Sequence, residues 1–256
     1  ARIKECMDQL VAMGDAAVVP LNDLVNAEDS ASLWAAEALA RIGTPLATTA
    51  LLDTLSQTKE GLYKEELGRR IAGIHNHESW PILLDTALQT GDQTVVRAAG
   101  TALSQMADTP VVDGMIARYE AATTEEEISR LTRMLGNIRS PKATDALLSL
   151  AGPVNSPPID GLAEAAVEAL AKVGDPRAVS HLIQRLEASA PGEGAALYNT
   201  IKGISHSGAK SALYYAARGN KEVSATNGRT AAIEALRNYP DEKTLELLER
   251  IVIEDD

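Results

Sequence analysis

The chain has 256 residues, enough for one or two globular domains with a sizeable core. Its 24 basic and 36 acidic residues leave a net charge of −12, which argues against a nucleic-acid backbone as the main partner, and no run approaches the roughly eighteen apolar residues of a membrane-spanning helix. Phenylalanine is absent and aromatics make up 3%, so the core falls to Leu, Ile, Val, Ala and Met, and the lone Cys6 excludes an internal disulfide.

In the first predicted helix Ile3, Cys6, Met7, Leu10, Val11 and Met13 share one side, while Lys4, Glu5, Asp8 and Gln9 hold the other. Cys6 reads there as a small core residue. The last large apolar residue of each first helix then recurs along the chain as Leu10, Leu39, Ile71, Leu103, Leu135, Leu170, Ile201 and Leu236. These anchors are spaced by 29, 32, 32, 32, 35, 31 and 35 residues. So steady a period predicts a repeat array of eight helix pairs.

The corners between paired helices carry the same register. Gly14-Asp15, Gly43-Thr44-Pro45, Asp108-Thr109-Pro110, Arg139-Ser140-Pro141 and Gly174-Asp175-Pro176 each place a capping side chain before a residue able to open a helix. The third and seventh corners, around His75-Asn76-His77 and Ser205-His206-Ser207, lack proline and are read with an Asn or Ser cap. Residues 161–186 show the unit most clearly: Leu162, Ala165, Ala166, Ala169, Leu170 and Val173 form the inward stripe of one helix. Gly174 supplies the left-handed stop, and Ala178, His181, Leu182 and Leu186 face inward from the next helix. Alanine tracts at 35–38, 98–102, 165–169 and 231–235 predict close stacking of neighbouring first helices.

The pattern A-A-x-E-A-L-x-x-[IV]-G-[DT]-P-x-A, with paired apolar residues after it (Leu51-Leu52, Leu182-Ile183), resembles HEAT repeats. More narrowly, it resembles the short HEAT-like repeats of phycobilisome (bilin) lyases. The resemblance implies an all-α fold, a right-handed α-α superhelix (HEAT-like solenoid) of about eight helix pairs, with second helices lining a concave face. At the far end Leu245, Leu247, Leu248, Ile251 and Val252 cluster opposite Glu246, Glu249 and Arg250. Polar outer faces on both end helices lead to the expectation of a single domain over residues 1–256. Two longer connections, 151–161 and 218–228, lie on one edge of the array and read as tolerated surface loops or as a binding edge.

Four histidines are present, His75, His77, His181 and His206, with no spacing that gathers a metal-ligand set. No nucleophile elbow, phosphate-binding glycine loop or C-x-x-C pattern occurs, so no catalytic, metal or cofactor-binding residues are expected. Asp53 and Asp85 share one register of the second helices, and Asp113 and Asp145 share another one turn earlier. They read as an acidic ridge on the concave face, or simply as a solvated face. Trp80 stands in a register that reads as partly exposed, as a binding anchor or as a filler between repeats, and Tyr215 and Tyr214 lie further along. The expected function is a non-enzymatic protein-interaction scaffold or adaptor. Asp53, Trp80, Asp85, Asp113, Asp145 and Tyr215 are expected to hold a protein or peptide with a basic segment, without nucleic acid or membrane insertion. The alternative, a bilin lyase or bilin-handling protein, is implied only by the repeat subtype. One cysteine suits a reducing, cytoplasmic compartment, and a disulfide-free chain is equally compatible with a periplasmic or secreted one.

Overall fold

A computed structural model describes residues 2–27, 31–106, 109–154, 161–189, 194–218 and 227–255. The described residues hold sixteen α-helices in eight consecutive pairs and no strand. The chain divides into two compact units, Ala1–Val111 and Val112–Asp256.

The first unit contains α1 (Arg2–Ala12), α2 (Val18–Asn26), α3 (Ser32–Ile42), α4 (Pro45–Gln57), α5 (Leu62–Ile71), α6 (Trp80–Gln89) and α7 (Gln93–Gln105). First helices pack on first helices, α1 on α3, α3 on α5 and α5 on α7, while α2 packs on α4 and α4 on α6. The second unit takes most of α8 (Thr109–Ala121), then α9 (Glu125–Ile138), α10 (Thr144–Ala151), α11 (Gly161–Val173) and α12 (Pro176–Ala188). It closes with α13 (Ala195–Lys202), α14 (Lys210–Arg218), α15 (Asn227–Leu236) and α16 (Glu242–Asp255). The same two layers recur: α9, α11, α13 and α15 pack in sequence, and so do α10, α12 and α14. This layering is that of an α-solenoid.

The anchors explain the stacking. Leu39, Ile71, Leu103, Leu135, Leu170, Ile201 and Leu236 are fully buried, and only Leu10 in the first pair is half-buried. Close approach of first helices is sharpest where α9 meets α11. A Cβ added at Gly136 would lie 2.7 Å from the Cα of Ala169.

Corners nest on corners. Gly43 and Gly174 end α3 and α11 in the left-handed region, with φ of 59° and 63°. Thr44 Oγ1 then accepts from the Ala47 N–H, and Asp175 Oδ1 from the Arg177 N–H, capping α4 and α12. The following corner presses on each glycine: an added Cβ would come within 3.1 Å of Asn76 Cβ at Gly43 and 2.5 Å of His206 Cβ at Gly174.

Three corner expectations are corrected. In the seventh corner the cap is His206, whose Nδ1 accepts from the Gly208 N–H, because imidazole offers the acceptor that Asn76 supplies in the third. Ser140 makes no capping bond, and the left-handed residue of that corner is Arg139. Asp15 lies inside the 3-10 turn Gly14–Ala17 and accepts from Thr44 Oγ1 of the next corner. Asp108 of the fourth corner and the middles of the two longer connections, 155–160 and 219–226, lie outside the described residues.

The end helices are less polar outside than expected. Met7 is buried, but Cys6 and Met13 of the first pair are exposed, as are Leu245 and Val252 of α16. Cys6 is therefore not a core residue; Met7 takes the buried place on α1, and Cys6 is left on the rim.

One buried ion pair ties α5 to α7. Lys64, 4% exposed, donates to Asp92, the N-cap of α7, and also to Glu60 at 2.9 Å. Its bonds to Asp92 and Glu60 raise the Lys64 pKa above the ordinary 10.5, against the effect of burial. Burial alone would raise that of Asp92, but Lys64 and the N–H groups of Val95 and Thr94 hold it below the ordinary 3.8. The Asp92 contribution is thus present above pH 3.8 and lost as pH falls through the lower folded value; that of Lys64 is present below pH 10.5 and lost as pH rises through the higher one. Urea midpoints across this range are expected to show both limbs, and both should flatten in the Lys64→Met, Asp92→Asn double variant.

Candidate functional site

Two registers of the second helices form a continuous exposed stripe in each unit. Ten residues after the anchors stand Asp113 and Asp145, and fourteen after stand Asp53, Asp85 and Tyr215. In all eight pairs the residues at both positions are exposed. The two positions lie one helical turn apart, opposite the buried stripe.

The four aspartates differ in their electrostatics. Lys142 Nζ donates to Asp113 at 3.0 Å, and Arg177 Nη1 donates to Asp145 at 2.8 Å. Arg177 also reaches Asp175 at 3.3 Å. Burial alone would raise the pKa of Asp175, but the Arg177 guanidinium and amide bonds hold it below the usual carboxylate range. The expected ridge is therefore corrected in the second unit, where cations of the next repeat neutralise the carboxylates. Asp53 and Asp85 have no ion-pair partner among the described residues.

The signal for this ladder lies in the period. Lys142 follows Asp113 by 29 residues and Arg177 follows Asp145 by 32, one repeat in each case. Arg97–Glu65 and Arg70–Glu37 obey the same spacing, at 32 and 33 residues. Charges one period apart on a shared face meet across neighbouring helices.

In the Trp80 register, two of the four residues read as partly exposed are sealed. Thr48 and Thr144, at the same distance from their anchors, are fully buried, and Thr48 Oγ1 donates to the Gly43 carbonyl at 3.3 Å. Trp80 and Lys210 are half-buried. The register flanks the stripe and turns toward the neighbouring helix. Tyr215 is 86% exposed, whereas the Tyr214 hydroxyl is engaged with Thr244 Oγ1 at 2.6 Å and its ring lies under Lys210.

An apolar groove of about 290 Å³ opens in the first unit among α1, α2 and α3. Cys6, Met7, Leu10, Leu21, Leu24 and Trp34 line it, and the Trp34 side chain is 56% exposed. Sequence reasoning gave Trp34 no role. Its signal was a tryptophan on the first turn of an alanine-rich helix, next to the buried Ala35 and Ala36. Leu24 also stands fourteen residues after its anchor, so Leu24, Asp53 and Asp85 occupy one register of α2, α4 and α6.

His75 and His77 are exposed, and burial, reinforced by Arg185, pushes the His181 pKa down. Among the described residues no three His, Cys, Asp or Glu side chains lie close enough to hold a metal ion. None of their helices is long and apolar enough to cross a membrane.

Helix pairs stacked in two layers within each unit define an α-helical repeat protein. Residues 112–201 match the family model of HEAT repeats, and the pairs on either side repeat the same helix–corner–helix unit. No curated protein matches it. Among solved structures, the complex of CpcE and CpcF of phycocyanin lyase from Nostoc sp. PCC7120 is similar at 19% identity and a TM-score of 0.36, over 89% of this chain and 92% of that one.

Proposed function

We propose that this chain is a protein-binding scaffold whose first unit holds a basic, amphipathic segment of a partner protein. The observation that carries the reading is the line Leu24, Asp53, Asp85, which starts in the apolar groove beside Trp34 and continues as two carboxylates without ion partners. Neighbouring helix axes lie about 8–10 Å apart. Three residues of a polyproline II chain span about 9 Å and return the side chain to the same face. A segment with an apolar residue followed by Lys or Arg three and six positions later therefore matches the line. Charge agrees, since residues 1–111 hold eight basic and fifteen acidic residues. Apolar contact with an exposed tryptophan supplies the affinity, and exposed carboxylates mainly set association rate and salt dependence.

Titration with a peptide of that pattern, followed by tryptophan fluorescence, tests the proposal. Trp34→Ala is expected to weaken binding at least about tenfold. The Asp53→Asn, Asp85→Asn pair should slow association and flatten its salt dependence with the circular-dichroism spectrum unchanged. Binding indifferent to all three changes would sink the reading. The bilin-handling alternative keeps only the repeat-subtype resemblance. A saturable spectral shift of an added open-chain tetrapyrrole would favour it.

A further inference from the structure

A polar pocket of about 300 Å³ lies in the second unit, where the corners of the fifth and seventh pairs face each other across α11. Arg139, Glu168, Lys172, Asn199, Ser205 and His206 line it. We infer that this pocket is a binding site for a phosphate group, with Arg139, Lys172 and His206 as donors and Glu168 as acceptor.

Arg139 is the first argument. It is the one non-glycine residue with positive φ among the described residues, at 58°. Four residues after the anchors, the second and sixth corners place Gly43 and Gly174 in that same conformation. Glycine adopts it without the Cβ clash that any other residue bears. The fifth corner instead keeps a cation with five N–H donors, and such local strain is a pointer to function when the side chain faces a pocket.

The second argument is charge. In a chain with 36 acidic against 24 basic residues, neither Arg139 nor Lys172 has a carboxylate partner among the described residues. Lys172 Nζ donates only to Asn137 Oδ1, at 3.2 Å, which leaves ammonium protons for a ligand.

The third is the preorganisation of His206. Its Nδ1 accepts from the Gly208 N–H at 3.3 Å, its carbonyl accepts from the Tyr239 hydroxyl at 2.7 Å, and its side chain packs against Gly174. With Nδ1 occupied as acceptor, the neutral imidazole carries its proton on Nε2, a fixed donor.

Glu168 decides between anions. A carboxylate in the pocket repels a bare oxyanion but accepts a hydrogen bond from one that bears a proton. Inorganic phosphate keeps at least one proton near neutral pH, and a phosphate monoester, whose second ionisation falls near pH 6, keeps one in part, whereas sulfate keeps none. The same chemistry is offered by free inorganic phosphate and by a phosphorylated side chain.

Calorimetric titration of the whole chain at pH 6.5 with inorganic phosphate, sulfate and O-phosphoserine tests the assignment. Phosphate is expected to bind saturably and at least about tenfold tighter than sulfate. Tighter binding of phosphoserine than of phosphate identifies a phosphorylated side chain as the source, and the reverse order identifies the free ion. Glu168→Gln should erase the preference over sulfate. Arg139→Gly relieves the backbone strain, so its melting temperature should hold or rise while phosphate affinity falls at least about tenfold. No saturable phosphate binding, or an Arg139→Gly variant that binds like the parent, overturns the assignment. The pocket and the first-unit groove share no residue, so the two proposals fail separately.

Discussion

Truncating Leu170 to alanine is expected to destabilise the protein by about 2–5 kcal/mol. Leu170 is fully buried in α11, which packs against α9, α10, α12 and α13, so the lost side chain leaves a cavity bounded on several sides. Leu170→Met conserves volume and should cost less than about 1.5 kcal/mol. Urea denaturation measures both. Stability in a repeat array is largely nearest-neighbour, so amide exchange should accelerate first in α9 through α13. Acceleration confined to helices that do not touch α11 would contradict this packing.

Gly174→Ala should be nearly as damaging, for two separable reasons. An alanine at φ 63° bears the left-handed penalty of about 1–2 kcal/mol. Its Cβ would also stand 2.5 Å from His206 Cβ, and overpacking of that kind costs about 1–3 kcal/mol. Gly14→Ala supplies the control. Gly14 has φ 58°, but an added Cβ meets nothing within 4 Å, so only the first penalty applies. Thermal melts of the two variants should therefore differ by the clash. Equal losses would mean that corner nesting contributes nothing.

The difference between those glycines marks the limit of local reading. That both fall where a first helix stops follows from the apolar period and from glycine itself, which involve residues within one turn. That the next corner rests on Gly174 depends on His206, one repeat away, and on how closely the two corners approach. Arg139 stands between the cases. Its register beside Gly43 and Gly174 already implied a left-handed residue, but only the folded second unit brings Lys172 and His206 beside it.

The candidate surface was legible in part for the same reason. Helical periodicity placed Asp53, Asp85, Asp113, Asp145 and Tyr215 on the exposed side, and all five are exposed. Periodicity measures direction from one helix axis and carries no information on what the neighbouring helix presents. Hence Lys142 and Arg177 escaped notice, and the Trp80 register was read as partly exposed throughout, where Thr48 and Thr144 are sealed.

By itself, then, the amino-acid sequence determined the eight pairs, the positions of their corners and the burial of seven of the eight anchors, because helix periodicity is short-range and repeats with the chain. Tertiary structure alone decided which exposed charges remain free, which apolar residues line a groove, and where strained Arg139 points. Those properties belong to side chains about 30 residues apart, brought within hydrogen-bond reach only by the stacking of neighbouring pairs.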